Sequence, residues 1–279
     1  MRSVLSNLRL GVFFGACAVA FILFSPPFVF AISAAKVSSP FTYHFSVGGT
    51  LHETGSMDTS SSPYWWLNSG AVLILESGVG MTAQGSLPLL NTWRTLYAAS
   101  NSLDTDGGTH PQNLFRLVSR SQWNNVRMEA AYKITADHFS SSPNRNASNG
   151  LLLMSRYHMG GDTLYYAGIR VDGTAVLKKK LNGTYTTLAQ KKVFSGTYTE
   201  GATVNLLPHN SWVTLRSETV TNANGTVTVR LFMKKQGESG FTKLLEAIDS
   251  QSPITGSGYT GIRTDFMDVM FDDVRITAL

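Results

Sequence analysis

The 279-residue chain reads as an all-β protein, a β-sandwich or jelly roll of antiparallel sheets. Three observations predict this class. Apolar and polar residues alternate with period two over several segments, the signature of half-buried strands. Turn signals separate those segments, at Asp172-Gly173, Asn182-Gly183, Asn224-Gly225 and Gly237-Glu238-Ser239-Gly240. Segments of helical character are short, expected only around residues 93–100 and 243–249. Composition agrees: 43% hydrophobic residues with 15% charged is too apolar for disorder, and one Cys is too few for a disulfide scaffold.

The first element, residues 1–35, has a basic start with Arg2 and Arg9, an apolar run from Gly11 to Phe24, and a small-residue exit with Val29 and Ala31 before Ile32. That is the three-part plan of a secretory signal. An uncleaved membrane anchor is the other reading, because no charge lies between Leu10 and Ala35. Pro26-Pro27 would break such a helix near its end. Both readings place residues 36–279 outside the cytoplasm, secreted or anchored at the N-terminus. The single Cys17 lies in the apolar run, so this second segment has no disulfide, thiolate chemistry or Cys-ligated zinc. Of the 23 bases, Arg2 and Arg9 precede the domain, and the remainder barely exceeds the 18 acids. Such a balance predicts no nucleic-acid partner, and a membrane contact only through the N-terminal segment.

Residues 36–62 are rich in Ser, Thr and Gly and are expected to include an entry loop. Strands follow. In residues 125–134, Val126, Met128, Ala130, Tyr132 and Ile134 share one side, with Arg127, Glu129, Ala131 and Lys133 opposite. In residues 226–234, Val227, Val229, Leu231 and Met233 oppose Thr228, Arg230, Phe232 and Lys234. Residues 212–218 and 269–276 behave alike. Residues 164–181 read as a hairpin with a three-residue loop, Asp172-Gly173-Thr174, which pairs Val171 with Ala175 and Ile169 with Leu177. One face is then apolar. The other carries Tyr166, Gly168, Arg170, Val176, Lys178 and Lys180. A one-residue slip would drag Lys178 into the apolar face.

The segment Tyr165-Tyr166-Ala167-Gly168-Ile169-Arg170, with Asp172-Gly173-Thr174 and the Lys178-Lys179-Lys180 strand, resembles the mid-sheet hairpin of concanavalin A-like lectin/glucanase domains. Trp212-Val213-Thr214-Leu215-Arg216, followed by Val227 to Met233, resembles a strand pair of the same superfamily. Gly258-Tyr259-Thr260-Gly261-Ile262-Arg263 and Phe271-Asp272-Asp273-Val274 resemble its closing strands. The resemblance covers roughly 160–279, and the first half only by length. It implies a jelly roll of two antiparallel sheets whose concave face binds glycans, and a superfamily that includes laminin-G-like modules, β-glucan hydrolases and polysaccharide lyases. Such motifs specify architecture more than activity.

On that basis the expected function is recognition of a polysaccharide, with an anionic polymer as one candidate. The expected contacts are Tyr166, Arg170, Lys178, Lys180, Arg156, His158, Gln112 and Trp65. Trp65 and Trp66 are adjacent, so on a strand one faces the core and one does not. A lyase acting on a uronate glycan is the alternative, with Tyr166, His110 and Arg116 as its catalytic set. A glycoside hydrolase is less well supported, because no Glu-x-Asp-x-x-Glu strand is present. Asp104-Thr105-Asp106-Gly107-Gly108 fits a polar turn better than a calcium loop. The resemblance implies a structural calcium at Asp272. No other cofactor is expected.

Overall fold

The computed structural model describes residues 31–279, so the expected signal or anchor lies almost wholly outside the described residues. Sixteen strands and one α-helix follow. They are β1 (Phe41–Tyr43), β2 (Gly49–His52), β3 (Trp65–Ser69), β4 (Val72–Glu76), β5 (Val79–Thr82), α1 (Thr92–Ser100), β6 (Arg116–Trp123), β7 (Val126–Asp137) and β8 (Gly150–Tyr157). Then come β9 (Leu164–Arg170), β10 (Thr174–Leu181), β11 (Thr184–Lys192), β12 (Val213–Thr221), β13 (Val227–Lys235), β14 (Thr242–Asp249), β15 (Gly258–Thr264) and β16 (Met267–Ala278). They form two antiparallel sheets. One runs β14-β13-β12-β7-β16-β5-β4-β2, with β1 added on β16, and the other runs β11-β10-β9-β8-β15-β6-β3. Every strand joins a partner distant in sequence or a hairpin neighbour, which is the jelly-roll sandwich the chain was expected to form.

The alternation decides which side of each strand is buried. Met128, Ala130, Tyr132 and Ile134 of β7 and Leu215 of β12 pack against Leu117 of β6, Leu151 and Leu153 of β8 and Ile169 of β9 in the core between the sheets. Val227, Val229 and Leu231 of β13 meet Tyr165, Ala167, Ala175 and Leu177 of the β9–β10 hairpin in the adjoining part of that core. Burying a Leu, Ile or Val side chain here contributes about 1.5–3 kcal/mol. Gly168 lets β8 and β9 approach closely. A Cβ there would lie 2.1 Å from the Leu151 carbonyl oxygen.

Two expectations need correction. The β9–β10 register pairs Ala175 with Ile169 and Leu177 with Ala167, two residues away from the expected pairing. The loop is Val171-Asp172-Gly173, closed by the Gly173 amide donating to the Arg170 carbonyl at 2.8 Å, with Gly173 at φ 79°. Because the shift is even, every side chain stays on its expected face. Residues 243–249 belong to strand β14, not a helix. The β13 edge offers a full row of backbone donors and acceptors, and β14 satisfies them from Thr242 to Asp249 with one irregularity at Leu231/Phe232. Tertiary pairing here overrides local helix propensity. The other helical expectation falls on α1, whose N-cap Asn91 accepts from the amides of Trp93 at 2.8 Å and Arg94 at 3.4 Å.

The outer face of the seven-stranded sheet buries a second apolar set, Met57, Trp66, Val118, Leu152, Met154, Tyr157, Leu164, Tyr166 and Val176. The functional candidates lie at its margin.

Candidate functional site

The β9–β10 pairing sets Lys178 beside Tyr166 and Val176 beside Gly168. Leu152 of β8 stands opposite Gly168 on the other side. With no side chain on Gly168, Leu152 and Val176 floor a cavity of about 540 Å³, which Tyr166, Lys178, Tyr185 and Arg263 border from the sheet. Loops complete it, through Asp104, Leu114, Asn144, Asn146, Ser148, Asn149, Asp265 and Phe266. The size falls in the range of small-ligand sites.

Two aromatic rings organise one wall. Tyr185 on the edge strand β11 stacks on Tyr166, with ring centroids 6.3 Å apart and an interplanar angle of 19°. Tyr166 is 2% exposed, whereas Tyr185 is 51% exposed and presents its ring to the opening. Lys180 Nζ lies 5.1 Å and Lys178 Nζ 6.0 Å from the Tyr185 ring centroid. Arg263 Nη1 donates to the Tyr166 hydroxyl at 3.2 Å, while Nε donates to Asp265 at 2.8 Å.

The opposite wall is made of amides. Asn146 N donates to Asn149 Oδ1 at 2.7 Å, Ser148 N to Asn146 Oδ1 at 2.9 Å, and Asn144 Nδ2 to Asp104 Oδ1 at 3.0 Å. The carboxylates of the expected polar turn hold this wall from behind. Asp104 takes Ser142 and Asn144, and Asp106 takes Ser140 at 2.6 Å, His110 at 2.8 Å and Asn113 at 3.2 Å.

The cations around the cavity differ in what they are bonded to. Arg170 donates to Asp172 at 2.6 Å and to the Ala147 carbonyl at 2.8 Å. Lys180 donates to the Gly161 carbonyl at 3.0 Å. Arg263 is held by Asp265. Among the described residues, Lys178 has no hydrogen-bond or ion-pair partner. Burial first, then repulsion from Arg170 and Arg263, holds its pKa below the ordinary lysine value against an opposing pull from Asp172. The site therefore contains one partly desolvated ammonium without a counter-charge of its own.

The other expected residues are placed elsewhere. Trp65 is 1% exposed in the inter-sheet core. Trp66 is on the outer face but covered, and its indole donates to the Thr54 carbonyl at 2.9 Å. Gln112 is fully buried and donates to the Gly85 carbonyl at 2.8 Å and to Asp268 at 2.9 Å. Arg156 is fully buried as well, and its guanidinium donates to the Ile254 carbonyl and to Thr221 Oγ1. Trp65, Gln112 and Arg156 are structural, because each is buried inside the protein. His158 is exposed in the β8–β9 loop, away from the cavity lining. Arg116 donates to Asn68 at 2.9 Å and lies 5.9 Å from the Tyr157 ring. His110 bonds Asp106 and Ser86 and stacks on His138 at 4.3 Å. The set Tyr166, His110 and Arg116 does not converge on the cavity.

Sequence reasoning missed Tyr185, Arg263 and the amide wall. Tyr185 sits in a Thr-rich edge strand without alternation, and the amides belong to a loop whose position only the fold determines. Arg263 ends the Gly258-Tyr259-Thr260-Gly261-Ile262-Arg263 motif, but nothing in that motif sets it beside Tyr166.

Asp272 lies with His44 and Asp273, whose potential ligand atoms fall within 4.8 Å of one another. His44 Nδ1 and Asp273 Oδ1 already meet at 3.0 Å. Calcium takes six to eight oxygens, and this set offers one exposed and one half-buried carboxylate and an imidazole nitrogen. The residues present do not fit a calcium site.

The fold and cavity define an antiparallel jelly-roll sandwich with a ligand-sized site on the outer face of its seven-stranded sheet. No family model matches the chain, and no curated protein matches it. Among solved structures, the carbohydrate binding module CBM66 from Bacillus subtilis is similar with a TM-score of 0.42 and 14% identity, over 59% of this chain and 82% of that one. A protein of unknown function with a galectin-like fold from Bacillus subtilis has a TM-score of 0.47 and 11% identity, over 87% and 97%. The Ca2+/Man2-bound VIP36 exoplasmic/lumenal domain has a TM-score of 0.43 and 9% identity, over 82% and 87%.

Proposed function

We propose that the protein is an exported carbohydrate-binding domain that holds an acidic sugar in this cavity. One observation carries the reading: the exposed Tyr185 ring, backed by Tyr166, stands beside the unpartnered Lys178. A flat ring matches the apolar face of a pyranose. The ammonium is placed to take a carboxylate or sulfate, and a ligand anion there relieves repulsion that the free protein bears. Asn144, Asn146 and Asn149 supply donors and acceptors at the other wall for hydroxyl groups. The basic start, apolar run and small-residue exit of residues 1–35 support export.

The reading is of binding without chemistry. Elimination from a uronate needs a base, an acid and a carboxylate-neutralising cation around one sugar. Here the Tyr166 hydroxyl is covered and bonded to Arg263, and His110 and Arg116 are committed elsewhere. Hydrolysis needs two carboxyl groups flanking the bond. Asp265 is held by Arg263, and Asp104 by Ser142 and Asn144.

A panel of neutral, uronate and sulfated glycans, read for binding and for unsaturated products in the near ultraviolet, tests this. Binding of acidic glycans without products is expected. Turnover would overturn the non-catalytic reading, and binding of neutral glycans alone would overturn the role of Lys178.

A further inference from the structure

The outer face of the seven-stranded sheet is closed over most of its area. Beyond the cavity it is filled by Met57, Trp66, Val118, Met154, Tyr157 and Leu164, none more than 7% exposed. Two segments cover this cluster. The Trp66 indole bonds the Thr54 carbonyl at 2.9 Å and fixes residues 53–60 over β3. Lys180 bonds the Gly161 carbonyl at 3.0 Å and fixes the β8–β9 loop. That loop lies directly on the face: a Cβ on Gly161 would stand 3.1 Å from the Tyr157 hydroxyl.

The other end is also closed. The loop between β7 and β8 is tied by Arg145 Nε donating to the His138 carbonyl at 2.7 Å and by Asn144 donating to Asp104 at 3.0 Å. The remaining side is the β11 edge. No strand follows β11 in the sheet, and Tyr185 is half-exposed there.

We infer that the cavity receives the end of a glycan chain, one or two residues deep, with the rest of the chain leaving across β11 past Tyr185. An internal segment would have to continue through the Trp66–Tyr157 cluster, exposing apolar area that is now dry and breaking the bonds that hold both covering segments. The inference rests on the glycan reading above and goes beyond it in naming which part of the polymer is recognised.

The test is calorimetric titration of the purified protein with uronate oligomers of increasing length (galacturonate, mannuronate, guluronate and glucuronate-containing series) and with the parent polymers. Affinity should level off by the second or third residue. Polymers cut to shorter lengths should bind more protein per gram, in proportion to the new ends. Affinity that climbs roughly fivefold with every residue beyond the third, the increment of about 1 kcal/mol that another ring contact would add, overturns the inference. Binding in proportion to polymer mass overturns it as well. If neither these series nor the sulfated and neutral glycans of the panel bind at any length, the glycan reading itself fails and the inference falls with it. Binding that survives both Lys178→Met and Tyr185→Ala lies outside the cavity and overturns both.

Discussion

Tyr185 lies flat on Tyr166, 6.3 Å away and tilted by 19°, so a buried ring on β9 fixes the orientation of an exposed ring on the edge strand β11. The edge ring therefore needs little ordering when a sugar stacks on it. Tyr185→Ala should weaken glycan binding on the order of tenfold, with thermal stability nearly unchanged, because the residue is half in solvent. Tyr185→Phe should keep most of the affinity. Calorimetry and a melting curve on the same samples check this. Equal binding by Tyr185→Ala and the native protein would remove the platform from the argument.

Lys178 is the charged partner of that platform, and its chemistry gives a pH signature. Its pKa is lowered, by burial first and then by Arg170 and Arg263, so its charge is lost below the ordinary lysine range. The folded protein binds this proton less readily than the unfolded chain. The group thus costs stability below its folded pKa, and the cost fades as pH rises through that value. Affinity for an acidic glycan should fall over the same rise, with proton uptake on binding. Lys178→Arg should flatten the profile, and Lys178→Met should lose about tenfold or more at neutral pH. A native profile that stays level to the pH at which exposed lysines titrate would contradict the assignment.

The limits of the sequence are visible in the same residues. Strands β7 and β13 were legible because each buries one face, and burial writes itself into alternation. The faces of β9 and β10 were legible for the same reason, even though the register was two residues off. Strand β14 was not, because an edge strand with exposed and half-buried positions has no clean period. The site was legible only where it coincides with that sheet face, at Tyr166 and Lys178. Trp65, Gln112 and Arg156 misled because polar and aromatic types also serve as buried structural groups, and their partners, such as Asp268 and Ile254, are remote in the chain.

Lys179 alternates with Lys178 and points into the protein. Its ammonium meets Asp249 Oδ2 at 2.8 Å, with the two side chains 5% and 2% exposed, and Tyr165 donates to the same carboxylate at 2.7 Å. Breaking a buried pair leaves an uncompensated charge, so Asp249→Asn or Lys179→Met alone should cost about 3–5 kcal/mol. The double variant carries no orphan charge, and the Asn can still accept from Tyr165. It should lose clearly less than the two single losses combined. Denaturant melts of the three variants measure this, and simple additivity would show that the pair is not coupled.

The donor set at His44, Asp272 and Asp273 predicts indifference to calcium. Melting temperature should be the same in millimolar calcium and in excess chelator, since two carboxylates make a weak site for an ion that wants six or more oxygens. A rise of several degrees with calcium, abolished by Asp272→Ala, would restore the structural-calcium role that the superfamily resemblance implied.

His209 supplies a second pH dependence. Its Nε2 lies 3.2 Å from Asp137 and its Nδ1 3.0 Å from the Leu207 carbonyl oxygen. Both partners are acceptors, so only the doubly protonated ring satisfies both. Its pKa is raised above the ordinary histidine value, chiefly by the bond to Asp137, with burial opposing. A raised folded pKa adds stability that is complete below the unfolded value, near 6.5, and is lost as pH rises through the folded one. Asp137 also anchors Asn205, whose amide donates to it at 2.9 Å, so the lost contact lies at a junction of the β7 end with the 205–209 segment. The native protein should therefore lose more stability between pH 6 and pH 9 than His209→Gln, whose amide does not titrate. Urea midpoints at the two pH values give the comparison, and identical losses in the two proteins would mean that the His209–Asp137 contact contributes nothing to folding.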